Sequence, residues 1–488
     1  METSSIKILA LALSMYASAV SAQESFNVRN SFVMENLGCG LSKVCVVVPV
    51  PQNNIYQDIE DVKISSGEIL ENTSGNKYLR DINVNNLPSK GETYELSEDF
   101  NVTLYPMYID MSQFTTIYPY DKNSEIYRKY VIDRGEFIDT RNTRITEISD
   151  RLWTESDGNI LSYAKLCYEY VADNFKYLNP YTGIHPIDKI LTDGGGDCGN
   201  LASIYVNLLR AKGIPAKHIV TVRPDGSYHV WADFYLEKYG WIPVDVNMKL
   251  DNPEGNYFGY CLGDGIVMSE DIFYEIEYDE GEFCDVVLLQ NYYYWYWADK
   301  FGMIAAEHKV SSRMTGKPEL PVVVETGGNS VKLKMPEIQG ATSYRIELIE
   351  SSGFPDGTDV YEVGKNTEIF TLNDLKSLTD YTILFKPIRV VGNIETTMGE
   401  YSFGFRTTDV PSGLETTDSG ISLVSSRGNV LVSISQGTYD LEIYSMSGSM
   451  VKKISVNSTV NIQVPEQVLV VKAKSIEGKI YTKKLNCM

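Results

Sequence analysis

Histidine is scarce in this chain, with four among 488 residues. There is no His-Glu-x-x-His and no paired Cys-x-x-Cys, so neither familiar zinc signature is available. Cysteine is sparse as well. Cys39, Cys45, Cys167, Cys198, Cys261, Cys284 and Cys487 are too few and too scattered for a disulfide scaffold, and their odd number leaves at least one unpaired within a monomer. Cys39/Cys45 and Cys261/Cys284 are possible bridges, and buried free thiols are an equal alternative. Positive charge is in short supply: 43 Lys and Arg face 65 Asp and Glu, a net charge of -22. That excludes the clustered cations a nucleic-acid surface needs. Beyond the first twenty residues no apolar run approaches the length that spans a bilayer.

What the chain does have begins with Lys7, an apolar run from Ile8 to Val20 and the small-residue exit Val20-Ser21-Ala22, which read as a secretory signal over residues 1–22. Export to the surface or surroundings of a Gram-negative cell follows as an expectation. After it, 488 residues allow three or four ordinary domains. Residues 23–120 show short β segments punctuated by Asn, Gly, Ser and Pro, as a β-sandwich would. Residues 121–310 carry helical stripes, including Leu161, Ala164, Tyr168, Val171 and Phe175, and end in the aromatic block Tyr292 to Trp297. Those rings either line a subsite or fill a core, and the core is the favoured alternative.

One constellation stands out. Gly194-Gly195-Gly196-Asp197-Cys198 precedes a helix with Leu201, Ile204, Tyr205, Leu208 and Leu209 on one face, closed by Gly213 and Pro215. Cys198 therefore sits at a helix N-terminus, where unpaired N–H groups and the macrodipole favour a thiolate over the ordinary thiol pKa of about 8.5. Downstream, Tyr228 to Tyr235 alternates with His229, Trp231 and Asp233 on one face, and Trp241, Pro243 and Asp245 alternate likewise. A turn centred on Glu237 predicts antiparallel pairing of Trp231 with Pro243 and of His229 with Asp245. His229 thus gains an orienting carboxylate. His185, His218 and His308 read as structural or solvated.

These residues, with Arg210-Ala211-Lys212-Gly213-Ile214-Pro215-Ala216 and Gly240-Trp241, resemble the transglutaminase-like superfamily. The resemblance implies a multidomain protein with an α+β papain-like core flanked by β-sandwiches. It also implies roles: Cys198 as nucleophile, His229 as general base and acid, and Asp245 as the group that fixes the imidazole. No metal or organic cofactor is needed. An oxyanion donor upstream of the cysteine is implied too, but no residue stands out for it. The expected reaction is acyl transfer from an amide of a protein, peptide or peptidoglycan-type substrate, with hydrolysis favoured over transamidation. A non-catalytic surface binding protein on the same scaffold is the alternative.

Residues 317–408 resemble a fibronectin type III domain, with Leu375, Leu378 and Tyr381 fitting its tyrosine corner. Residues 413–488 resemble the C-terminal sorting domain of type IX secretion. With eight Lys and Arg against six Asp and Glu, this tail is the one basic part of the chain.

Overall fold

The computed structural model describes residues 23–350, 358–408 and most of 421–486. The expected signal segment, the start of the linker after Val410 and Cys487 lie outside them. Six α-helices are described: α1 (Glu125–Tyr130), α2 (Thr143–Glu155), α3 (Ile160–Asn174), α4 (Ile187–Asp193), α5 (Cys198–Arg210) and α6 (Val246–Asp251). None of the described helices is long and apolar enough to cross a membrane. Apart from one 3-10 turn at Met111–Gln113, the remaining described secondary structure is β, arranged around an α+β core.

The first sandwich draws its strands from residues 24–104 and from residues 293–316. One sheet runs Ile304–Gly316, Glu24–Asn36, Thr93–Leu104, Gln57–Ile64, and its partner runs Tyr293–Lys300, Gly40–Val50, Lys77–Asn83, Glu68–Glu71. Two of these strands come from segments that the sequence reading placed in or beside the catalytic region. The reason is burial: Val44, Val46 and Val48 point at Phe32, Met34 and Leu96 between the sheets, and each sheet needs a further strand to cover its edge. The aromatic block supplies it. Tyr292, Tyr294 and Tyr296 join that core. Tyr293, Trp295 and Trp297 pack on the other face beneath the hairpin of Tyr274–Asp279 and Glu282–Val286, with Tyr278 stacked 5.0 Å from Trp295.

In the core domain, α5 lies against a sheet ordered Gly240–Val244, Tyr228–Leu236, Ala216–Val222, Ile266–Glu270. Leu201, Ile204, Tyr205 and Leu208 of α5 are buried with Tyr163, Ala164, Cys167 and Tyr168 of α3. Leu161, expected on that stripe, is only partly buried. The six described cysteines, Cys39, Cys45, Cys167, Cys198, Cys261 and Cys284, are all free. The two possible bridges are therefore not formed.

Residues 322–406 form two further sheets in which Tyr381 accepts the Lys376 N–H through its hydroxyl at 2.9 Å, the corner bond expected from the sequence. This module is not a detached spacer. Its strand Ile394–Thr397 pairs with the two-residue strand Met107–Tyr108, which pairs in turn with Tyr260–Cys261 of the core domain. Arg389 donates to the Ile55 carbonyl at 2.6 Å, and Gln113 exchanges two hydrogen bonds with the Glu395 backbone. Beyond it, Leu423, Val430, Val432, Leu441, Ile443 and Val471 pack between two more antiparallel sheets.

Candidate active site

Three glycines shape the approach to Cys198. Gly194 ends α4 in the left-handed conformation, φ 75°. Gly195, at φ 150°, presses its backbone so closely on the Lys176–Tyr177 strand that a Cβ there would lie 1.9 Å from the Lys176 carbonyl oxygen. This contact is the parallel bridge Lys176–Tyr177 to Gly195–Gly196, extended by Leu178 N–H to Gly196 O at 2.9 Å. Gly195→Ala should therefore break the bridge, costing roughly 3 kcal/mol of stability from strain and clash. Thermal melting and Cys198 alkylation check this, and a variant that matches the wild type in both would refute it.

Asp197 caps α5 by accepting the Asn200 N–H at 3.1 Å; burial outweighs that bond and raises its carboxyl pKa. Asn200, fully buried, ties the neighbouring loop down. Its amide donates to Gly183 O at 2.8 Å and its oxygen accepts His185 N–H at 2.9 Å. Cys198 follows as the first residue of α5, half-buried, among the N–H groups that a helix leaves unpaired. Tyr177, 45% exposed, borders it. Burial, and after it the Cys198 and Asp197 charges, raise the phenol pKa.

His229 is 5% exposed. Its carbonyl accepts from the Thr221 hydroxyl at 2.9 Å and from Gln290 at 3.3 Å. Its Nε2 lies 2.6 Å from Asp245 Oδ2, which leaves Nδ1 as the ring nitrogen free of the carboxylate. Burial works against a charge on the imidazole, but the Asp245 carboxylate, then its hydrogen bond and the nearby Cys198 side chain, prevail and push His229 up to about 10. The carboxylate thus favours the imidazolium form of the ring.

The hairpin register differs from the expected one. Pro243 pairs with Asp233 and Trp241 with Tyr235, a slip of two residues, because the turn centres on Lys238 in the left-handed region at φ 68°. Trp231 does not face Pro243, nor does His229 face Asp245. A slip of two preserves the face of every side chain, so His229 and Asp245 still meet. Asp245 is also not a strand residue. It is the N-cap of α6, and its Oδ1 accepts the Met248 N–H at 3.0 Å.

Residues of the first sandwich also reach the site. Tyr56 packs edge-on against Trp231, ring centroids 5.3 Å apart, and donates to Asp233 at 2.6 Å. Asp233 is itself pushed up to about 7, chiefly by burial. Gln57 both accepts from and donates to the Val267 backbone, standing in for a paired strand. Of the other histidines, His218 is buried with Ser203 Oγ 2.9 Å from its Nε2, and its pKa is drawn down to about 4 by burial. His185 lies tilted against Tyr181, ring centroids 4.4 Å apart, and His308 lies in the first sandwich. Among the described residues no group of three His, Cys, Asp or Glu could hold a metal ion.

A half-buried cysteine at a helix start, with a buried His–Asp pair beside it on a packed sheet, is the arrangement of a papain-like core. Residues 147–246, which span all three side chains, match the family described as the Transglutaminase-like superfamily. An uncharacterised protein of Haemophilus influenzae is 29% identical over 130 residues, covering 21% of this chain and 35% of its own length; the chain thus spans about a third of that relative. Two solved structures are similar at low identity. One is a candidate cysteine protease from Cytophaga hutchinsonii (14% identity, 61% of this chain and 92% of that one, TM-score 0.43). The other is a two-domain fibronectin type III segment of chicken tenascin (17% identity, 35% and 98%, TM-score 0.18). At the level of the family, the match supports a papain-like cysteine enzyme.

Proposed function

We propose that the protein is an exported cysteine enzyme that transfers acyl groups from amides through Cys198, His229 and Asp245. The observation that carries this reading is the buried 2.6 Å His229–Asp245 bond beside a cysteine that opens a helix. In the reaction the Cys198 sulfur attacks the amide carbonyl, the His229 proton passes to the departing amine, and a thioester remains. Water, activated by the then neutral imidazole, attacks the thioester, releases the acid and returns the proton to the Cys198–His229 pair. Asp245 stabilises the imidazolium and fixes the ring.

No cofactor enters this scheme. Substrates of the peptide, protein or peptidoglycan class suit the chemistry, and hydrolysis is preferred over transfer to an amine. Delivery to the cell surface or medium would rest on the N-terminal signal and on the basic C-terminal module acting as a sorting domain. The module at 317–408, read as fibronectin-like, would brace the core domain.

A thiol probe used at pH 6 tests the reading. Cys198 should be labelled selectively among the seven cysteines, and His229→Ala should slow that labelling. Labelling no faster than that of an ordinary thiol, and indifferent to His229, would make the protein a binding scaffold instead.

A further inference from the structure

His229 occupies the second position of its strand, next to the turn formed by residues 223–227, and strand ends held only by their ladder open readily. What holds this end comes from the first sandwich. The Ser312 hydroxyl donates to Pro224 O at 2.7 Å. More telling is Tyr228, the residue immediately before His229, whose hydroxyl lies 2.7 Å from His308 Nδ1. His308 Nε2 reaches Asn30 Oδ1 at 2.5 Å, and Asn30 Nδ2 donates to Glu98 Oε1 at 2.9 Å.

The direction of every bond is fixed by chemistry. An amide oxygen can only accept, so His308 donates from Nε2 and, while neutral, accepts the Tyr228 hydroxyl proton at Nδ1. Burial keeps it neutral, drawing its pKa down to about 4. At the far end Glu98 is 0% exposed, and its Oε2 has no hydrogen-bond partner. Burial first, and the neighbouring Asp99 charge in addition, push it up to about 8 against the opposing Asn30 bond. The described ion pairs bring no cation to it. A buried carboxyl with an idle oxygen is costly to keep. On its strand Glu98 stands opposite Asn30, between the buried Leu96 and Phe100.

We propose that Glu98, Asn30, His308 and Tyr228 form a one-way hydrogen-bond chain through which the first sandwich positions the His229 imidazole. Successive strand residues point to opposite faces, so pinning the Tyr228 side chain on one face fixes the backbone twist that aims His229 on the other. Thr221 and Gln290 hold the His229 carbonyl, Asp245 holds the ring, and the Tyr228 anchor adds a constraint at the neighbouring residue. Tyr228 and His308 are positioning residues here, and their role rests on the Cys198–His229–Asp245 reading above.

The test compares full-length wild type with Tyr228→Phe, His308→Leu and His308→Gln, reading His229 ring resonances by NMR and iodoacetamide alkylation of Cys198 from pH 5 to 9. Tyr228→Phe and His308→Leu should shift the His229 resonances and slow alkylation at pH 6 about tenfold. His308→Gln, which keeps one donor and one acceptor, should recover most of both. Unshifted His229 resonances in Tyr228→Phe and His308→Leu would overturn the chain. If wild-type Cys198 reacts no faster than in His229→Ala, the catalytic reading fails, and the resonances still decide whether the chain positions the ring.

Discussion

Asp245→Asn should lower amide turnover by at least about a hundredfold while leaving the protein folded and Cys198 accessible. The carboxylate performs two tasks that one amide cannot share. Its Oδ1 caps α6 at the Met248 N–H, and its Oδ2 accepts from His229. An Asn that keeps the cap through its oxygen turns its NH₂ toward His229 Nε2, donor against donor. The ring must then carry its proton on Nδ1, the nitrogen left for Cys198 in the proposed reaction, which is the wrong tautomer for taking the thiol proton. An Asn that faces the imidazole with its oxygen instead loses the cap, worth about 1 kcal/mol.

Either way the charge that holds His229 near 10 is gone. The sign of the linked stability follows. Because the folded pKa is raised, the wild-type pair contributes stability that is fully present below the unfolded value of about 6.5 and is lost as pH rises through about 10. The variant should lack that alkaline loss. Steady-state turnover and melting temperature between pH 6 and 10 provide the check. Turnover within threefold of wild type would remove Asp245 from the mechanism.

How much of this was legible in the sequence depends on the range over which each constraint acts. Cys198 at the start of α5 was legible because caps and apolar spacing are local: Asp197 precedes it, and the buried positions recur as a helix demands. The closeness of His229 and Asp245 was legible through alternation alone, which survives a slip of two. The register was not, because it turns on Lys238 adopting φ 68°, a conformation that lysine's own chemistry does not announce. Asp245 as a helix cap was missed for a similar reason: α6 has only six residues, too few for a periodic stripe.

Long-range closures left even less trace. The strand Met107–Tyr108 that welds residues 394–397 to the core domain has two residues, and its partners are about 150 and 290 positions away. Pairing of Ile304–Gly316 with Glu24–Asn36 places the end of one region against the beginning of another. The alternating residues of both strands are visible in sequence, but nothing local names the partner.

The largest expected loss of stability lies away from the cysteine, at Asp271→Ala. Asp271 and Arg210 have side-chain exposures of 1% and 0%, and Arg210 Nη2 reaches Asp271 Oδ1 at 2.7 Å. Arg134 adds a second guanidinium at 3.2 Å. Burial opposes the Asp271 charge, yet Arg210 and then Arg134 prevail and hold its carboxyl below the usual range. Arg210 also donates to the Ala216 and Ile132 carbonyls, so it cannot swing out to water when its partner is removed. Truncation leaves a buried, uncompensated cation, at a cost of about 3–5 kcal/mol, and places alanine at φ 67°, where Asp is tolerated better.

Asp271→Asn keeps the shape and suits that backbone, so it should cost less than Asp271→Ala. Adding Arg210→Met to Asp271→Asn should recover stability relative to Asp271→Asn alone, since it withdraws the stranded charge. Because the Asp271 pKa is depressed, the pair's contribution is present above the ordinary value of about 4 and disappears as pH falls through the lower folded value. Urea denaturation at pH 7 and pH 3 measures each of these differences. A loss below about 1 kcal/mol for Asp271→Ala at pH 7 would mean that Arg210 finds another partner or water. Since Arg210 ends the helix that Cys198 begins, such a result would also detach the stability of α5 from the chemistry at its other end.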